Sequence, residues 1–198
     1  LVVDETVTKR ELDLPEDKFV FVALNNGYKL NDRFIRIWST ILRACPNSII
    51  WLLATDDEVK KNVINEFATH NIDSARIFFF IRQSKSKFLG ALACADLFLD
   101  SSPYNAGTTA SDSLYAGCPV ITLPSDIYSS RMAASIVSHA GLEELVCSTE
   151  EEYIAKSIRI YKEDDYRSFI KDKATKAKNT RLFDTFDATI CLEVAYIN

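Results

Sequence analysis

Short apolar runs alternate with amphipathic stretches along most of the chain. Lys18 to Leu24, Ser48 to Ala54, Ala75 to Ile81, Leu97 to Leu99 and Val120 to Leu123 are strand-length and rich in Phe, Ile, Val and Leu. They predict five strands, and Glu144 to Cys147 predicts a short sixth. Between them the period changes. Asn31 can cap a helix whose apolar positions Phe34, Ile37, Trp38, Ile41 and Leu42 recur at helical spacing until Pro46-Asn47 stops it. Asp56-Asp57 starts a second helix, with Val59, Val63, Ile64 and Phe67 inward, that ends near His70-Asn71. A third helix covers Ser84 to Ala95, a fourth opens at Thr108-Thr109, and a fifth runs from Ser129 to Ala140, closed by Gly141 in the C′ position. Ser148-Thr-Glu-Glu151 reads as a capping box. The remainder to Asn198 is helical and more charged, with an acidic break at Glu163-Asp164-Asp165. Residues 1 to 14 are polar and weakly periodic, an approach segment with at most a short helical turn.

Strands that are apolar throughout, rather than alternating, are buried on both faces. Alternating with helices, they predict a doubly wound (Rossmann-like) α/β fold with a parallel six-stranded sheet and a C-terminal helical segment. Residues 15 to 147 form the core and 148 to 198 the helical tail of a single domain. No internal repeat or low-complexity linker divides it.

Composition removes several classes of function. The net charge is −5 and no Lys/Arg block exists, so a nucleic-acid backbone is not an expected partner. The apolar runs Ile49 to Ala54 and Ile77 to Ile81 are far below a membrane span, so no membrane partner is expected. Cys45, Cys94, Cys118, Cys147 and Cys191 are an odd, scattered set without a Cys-x-x-Cys pair. They read as small core residues in a reducing, cytoplasmic setting rather than as zinc or redox ligands. His70 and His139 sit at helix ends and read as surface residues rather than catalytic bases. The chain opens abruptly on Leu-Val-Val-Asp, without a charged-then-apolar leader, as an excised fragment would.

Candidate chemistry is concentrated between Asp96 and Arg131. The run Asp96-Leu-Phe-Leu-Asp100 ends in an acid and opens into Ser-Ser-Pro103-Tyr-Asn-Ala-Gly107, and then Thr108-Thr109 begins an Ala-rich helix. A strand, a loop and a helix start in this order can bind a phosphorylated ligand, because the free N–H groups of a first helical turn attract anions. Asp112, about one turn inside the helix, is near enough to accept from a sugar hydroxyl. An ordinary Ser/Thr N-cap fits the local pattern as well. Lys29, after the first strand, is by itself either a solvated surface lysine or a point charge for a diphosphate. Arg131 is either a second phosphate charge or a member of an ion pair under the loop. No Asp-x-Asp signature is present, so a departing diphosphate would be met by Lys29 and the helix mouth, without a metal.

The wording of this stretch is more specific than its pattern. Tyr104-Asn-Ala-Gly-Thr-Thr-Ala-Ser-Asp112, Leu-Tyr-Ala-Gly117-Cys-Pro119-Val and Ser130-Arg131-Met-Ala-Ala-Ser135 resemble the C-terminal catalytic half of the O-linked N-acetylglucosamine transferase (SPINDLY-like) family, glycosyltransferase family 41, of GT-B architecture. The likeness runs from Glu11 to Thr185. It implies a UDP-GlcNAc-type donor gripped at its diphosphate by Lys29, in an Asn25-x-x-Tyr28-Lys29 segment where Asn26 stands for the family's usual Gln. It further implies that backbone at Gln83 pairs with uracil, Lys85 lies beside base and ribose, and Phe88 stacks on the base. Phe88 could equally begin the apolar face of its helix with Leu89 and Leu92. By the same resemblance Thr108 and Thr109 donate to the diphosphate, Asp112 accepts from ribose, and Gly107 replaces a histidine found in several members.

In the family the acceptor side of the cleft belongs to an amino-terminal domain and a tetratricopeptide (TPR) array, neither of which is present here. The expectation is therefore a metal-independent nucleotide-sugar-binding half that binds UDP or UDP-sugar weakly and transfers little alone, its protein acceptor needing the rest of the enzyme. A GDP-fucose donor, as related SPINDLY proteins use, and a non-catalytic interaction module are the alternatives. A Rossmann oxidoreductase is disfavoured, because the first strand's loop lacks Gly-x-Gly-x-x-Gly.

Overall fold

The computed structural model describes residues 1–54 and 56–197. Among these, β1 (Phe19–Ala23), β2 (Ser48–Leu53), β3 (Ile77–Phe80), β4 (Leu97–Leu99) and β5 (Val120–Ile121) form one five-stranded parallel sheet in the order β3-β2-β1-β4-β5. In the centre Phe21 pairs with Ile50 on one side and Leu97 on the other. Every residue of β1 is buried, as a strand covered on both faces requires. The chain steps outward from β1 to β3, then returns to the other side of β1 with β4. The order therefore reverses between β1 and β4, and the loops that leave these two strands face one crevice.

Helices cover the sheet. α1 (Asp32–Ala44) lies against α2 (Asp57–Thr69) and α6 (Glu150–Lys162), whereas α3 (Lys85–Ala93) lies against α4 (Thr108–Tyr115), which also touches α5 (Met132–His139) and α7 (Asp164–Lys176). All five apolar positions expected to face inward from α1 are buried. In α2, Val63 and Phe67 are buried, but Val59, expected inward, is exposed at the first turn.

The expected sixth strand is reduced to one parallel bridge, Thr122 to Val146. Glu143–Leu145 instead forms a 3₁₀ turn, closed by the Val146 N–H on Glu143 O at 3.0 Å, which brings Leu145 into the core. That turn uses backbone groups a ladder would need. The expected helix from Ser129 to Ala140 is likewise split, into a 3₁₀ turn at Tyr128–Ser130 and α5. The capping box begins one residue late: Thr149 caps α6 by accepting from the Glu152 N–H, and Glu152 reaches back to the Ser148 N–H. Cys45, Cys118 and Cys147 are buried, as expected of core thiols, but Cys191 is exposed.

Residues 1–14 lie across α3 and α4. Asp4 N–H donates to Ser86 O and Tyr115 OH to Leu1 O. A Cβ on Gly90 would stand 2.4 Å from Asp4 O, so only glycine admits so close an approach. At the other end Glu163 separates α6 from α7 at the acidic break, and α8 (Thr185–Ile197) buries no residue. No helix among the described residues is long and apolar enough to cross a membrane.

Candidate nucleotide-sugar site

The loop after β1 carries Lys29 in a 3₁₀ turn, Gly27–Lys29, directly before the cap of α1. That cap is Asn31, whose Oδ1 accepts from the Phe34 N–H at 3.1 Å. Its Nδ2 donates to Lys29 O (3.3 Å) and to Ser102 O (3.1 Å) in the facing loop, so one side chain starts a helix and ties the crevice walls together. Lys29 Nζ donates to Asn105 O at 2.8 Å and sits 4.3 Å from the centroid of the Tyr104 ring. Burial lowers the Lys29 pKa, opposed by the charges of Tyr28 and Asp100. Among the described residues no carboxylate lies within 4.0 Å of it. Its partners are neutral, and its charge is left for an anion.

The facing loop hangs from Asp100 at the end of β4. This carboxylate is wholly buried: Oδ1 accepts from the Ala106 N–H and Oδ2 from the Thr122 hydroxyl, both at 2.7 Å. Tyr153 of α6 donates to its backbone oxygen at 2.9 Å. Burial pushes the Asp100 pKa up to about 7, against the opposing pull of the Ala106, Thr122 and Ser101 bonds and the Lys29 charge. Gly107 caps α4 with φ −101 and ψ −93. A Cβ added there would stand 2.8 Å from the Met132 methyl, the far end of a flexible side chain that can move aside at little cost. Among the described residues the N–H groups of Gly107, Thr108 and Thr109 and the hydroxyls of Thr108 and Thr109 have no partner. The helix mouth is open to an anion.

Beside it lies a cleft of ≈ 350 Å³ floored by Leu24, Leu53, Phe80 and Phe88 and rimmed by Asn26, Arg82, Gln83, Lys85 and Thr109. Its size and its apolar floor with a polar rim suit a small-molecule site. Phe88 stands edge-on to Phe80 (5.6 Å between centroids), which in turn abuts Trp51 (5.3 Å), so it serves both the cleft wall and the core. Lys85 on α3 is ion-paired with Asp112 on α4. A larger depression of ≈ 530 Å³ lies at the opposite, amino-terminal ends of the strands. Several charges there are paired, Lys9 with Asp96 and Arg167 with Asp164.

Of the residues singled out in the sequence, Asn26, Gln83, Lys85, Phe88 and Thr109 line one cleft, and Asp112 joins it through Lys85. Lys29 and Thr108 flank the end of the loop beside it. Arg131 does not join. It is exposed, faces a separate groove of ≈ 330 Å³ with Tyr128 and Met132, and among the described residues has no carboxylate within 4.0 Å, so the ion pair weighed for it is not formed. Two groups escaped the sequence reading. Arg82 Nη2 donates to Asn26 Oδ1 at 3.4 Å on the rim, signalled only by its place directly after a strand. Asp100 was visible as the acid ending an apolar run, but its burial was not.

An all-parallel sheet whose order reverses beside this cleft belongs to the Rossmann-like α/β class, in the form that makes up half of a GT-B glycosyltransferase. A solved O-GlcNAc transferase from Thermobaculum terrenum, a point mutant, shares the fold with a TM-score of 0.85 at 24% identity, over 91% of this chain and 35% of that one. Residues 3–192 match Glycosyl transferase family 41, and the chain belongs to that family. It is 30% identical over 178 residues to the UDP-N-acetylglucosamine--peptide N-acetylglucosaminyltransferase of Caenorhabditis elegans, covering 89% of this chain and 16% of that protein. It is also 30% identical over 190 residues to a probable enzyme of the same name, SEC, from Arabidopsis thaliana, covering 95% of this chain and 19% of that protein. The chain thus spans less than a fifth of the length of these relatives.

Proposed function

We propose that this chain is the donor-binding half of a protein O-glycosyltransferase that takes UDP-N-acetylglucosamine. The observation that carries the reading is the meeting of a carboxylate-free lysine and an unpaired helix mouth at the reversal of strand order, beside a cleft with an aromatic wall. The names of the 30%-identical relatives supply the donor. In this reading uracil enters the cleft against Phe88, with Gln83 backbone at its edge. Lys85 and Asp112 part to share the ribose hydroxyls, and the diphosphate lies between Lys29 and the N–H and hydroxyl groups of Thr108 and Thr109. Arg131 stands outside this arrangement.

Transfer breaks the bond between the sugar's anomeric carbon and the β-phosphate oxygen, which keeps the electron pair. The acceptor oxygen bonds that carbon and gives its proton to a group across the cleft. Lys29 and the helix mouth stabilise the charge on the departing diphosphate, the role that fixed donors fill most effectively, and no metal is required for it. Acceptor positioning falls to parts of the longer relatives outside this sequence, so the isolated chain binds donor and does not transfer. Titration calorimetry with UDP, UDP-N-acetylglucosamine, GDP and GDP-fucose tests this. UDP and its sugar bind, and GDP binds at least about tenfold more weakly, a difference of about 1.4 kcal/mol. Preference for GDP would sink the donor assignment, and no nucleotide binding by folded protein would leave an interaction module.

A further inference from the structure

One peptide group links the two charges of the crevice. The Asn105 carbonyl accepts from Lys29 Nζ at 2.8 Å, and the N–H on the other side of the same peptide, that of Ala106, donates to Asp100 Oδ1 at 2.7 Å. The series runs carboxylate, peptide, ammonium. Hydrogen bonds in series polarise one another, and a peptide gripped by an anion at its N–H and a cation at its oxygen cannot rotate without losing both. This peptide ends one residue before Gly107, the cap of α4. The carboxylate is fixed in turn by the Thr122 hydroxyl, and its own backbone by Tyr153. A buried acid is costly to keep. Its bonds from the Ala106 N–H and the Thr122 hydroxyl offset that cost and fix the loop.

We propose that Asp100 is a positioning residue for the donor diphosphate: through the Asn105–Ala106 peptide it aims Lys29 and the mouth of α4 at one point. The proposal deepens the donor-binding reading and rests on it. Asp100 touches no ligand. Its work is done through Lys29 and the loop, so it governs the phosphate half of the site more than the base cleft. The walls of that cleft come from α3 and from the ends of β1, β2 and β3 and the loops that leave them, with α4 adding only Thr109 at the rim.

Uridine and UDP separate the two halves. In the full chain, Asp100→Ala removes both carboxylate bonds and weakens UDP about tenfold or more, the scale of a lost charged hydrogen bond, while uridine followed by NMR titration binds within about twofold of the parent. Asp100→Asn, whose Oδ1 still accepts from the Ala106 N–H and whose Nδ2 can donate to the Thr122 oxygen, recovers most of that loss. The loss in a Lys29→Ala, Asp100→Ala double variant is smaller than the product of the single losses, because one acts through the other. Thr122→Val, nearly isosteric, frees Oδ2 alone and gives a smaller loss confined to UDP, which keeps the idea testable where Asp100→Ala does not fold. Equal losses of uridine and UDP, an unchanged UDP affinity in folded Asp100→Ala, or strictly multiplicative losses would each overturn the role. Parent protein that binds neither uridine nor UDP overturns the nucleotide reading itself, a different result from parent protein that binds both.

Discussion

Lys29 and Asp100 are two opposite charges held in the crevice under different conditions, and each has its own measurable consequence. Lys29 is half-buried with a carbonyl and a ring face as partners, so its removal takes away little that holds the fold together. Lys29→Ala is expected to weaken UDP by about ten- to a hundredfold, the equivalent of a charged hydrogen bond. The melting temperature should move by no more than about 2–4 °C, the shift that 1 kcal/mol produces in a domain of this size. Calorimetry and a thermal melt on the same sample decide it, and equal affinity in variant and parent removes Lys29 from the site. Asp100 acts on stability as well. Its folded pKa, raised by burial to about 7, lies above its ordinary value of 3.8, so between these values the folded state holds a proton that the unfolded state has lost. Stability therefore falls as pH rises across that window, by at most about 1.4 kcal/mol per pH unit, and levels off above it. Urea melts from pH 5 to pH 8 should show this slope in the parent protein and its absence in Asp100→Asn.

The elements that frame the crevice combine secondary-structure caps with cross-loop ties, and Asn31 separates the two functions. Asn31→Ala loses the cap of α1 and both amide donors, with an expected cost of about 2–3 kcal/mol in a urea melt. Asn31→Ser keeps a capping oxygen but cannot span to Ser102, so it should recover the cap's share of stability and still bind UDP more weakly than the parent. Identical affinity in Asn31→Ser and parent would show that the tie to the facing loop does not matter for binding. Such elements were legible in sequence to differing degrees. β1 to β4 and α1 were plain because their apolar residues recur at a period that burial enforces, and Asn31 was readable as a cap because its chemistry is local. Glu144 to Cys147 looked like another strand because its residues are indeed drawn to the core. Periodicity carries no information on whether the backbone pairs in a ladder or closes on itself in a turn. The site divides in the same way. Thr108 and Thr109 stood out through helix-start chemistry, and Lys29 and the cleft residues of α3 stood out through the family's wording. The link from Asp100 to Lys29 passes through the bond between Lys29 and Asn105, 76 positions apart, and no local pattern encodes it.

At the scale of the molecule, the core and the last helix part company. The contiguous core runs from Leu14 to Ala177, with Leu182 and Phe183 packed on its edge and the Phe183 ring 5.3 Å from that of Tyr115. α6 and α7 add Tyr153, Ile160, Ile170 and Ala174 to that core, as amphipathic helices do. α8 contributes nothing to it: Phe186, Leu192, Tyr196 and Ile197 are each at least 60% exposed. It is tied to the preceding turn by the Phe186, Asp187 and Ala188 N–H groups, which donate to Asp184, and by the surface ion pair of Arg181 with Asp187 at 2.7 Å, of the kind that adds little to stability. Apolar surface gains stability only when removed from water, and α8 removes almost none of its own. Ending the chain after Asp184 should therefore leave the unfolding free energy from a urea melt within about 0.5 kcal/mol of the parent, as changes away from a core do. It should also leave UDP affinity intact, because no residue placed in the donor site lies beyond Asp112. Exposed apolar side chains close together favour association, so the shortened chain should self-associate less in concentration-dependent light scattering. A large drop in stability on shortening would mean that α8 packs on the domain in solution, and the boundary of the folded unit would have to move to the end of the chain.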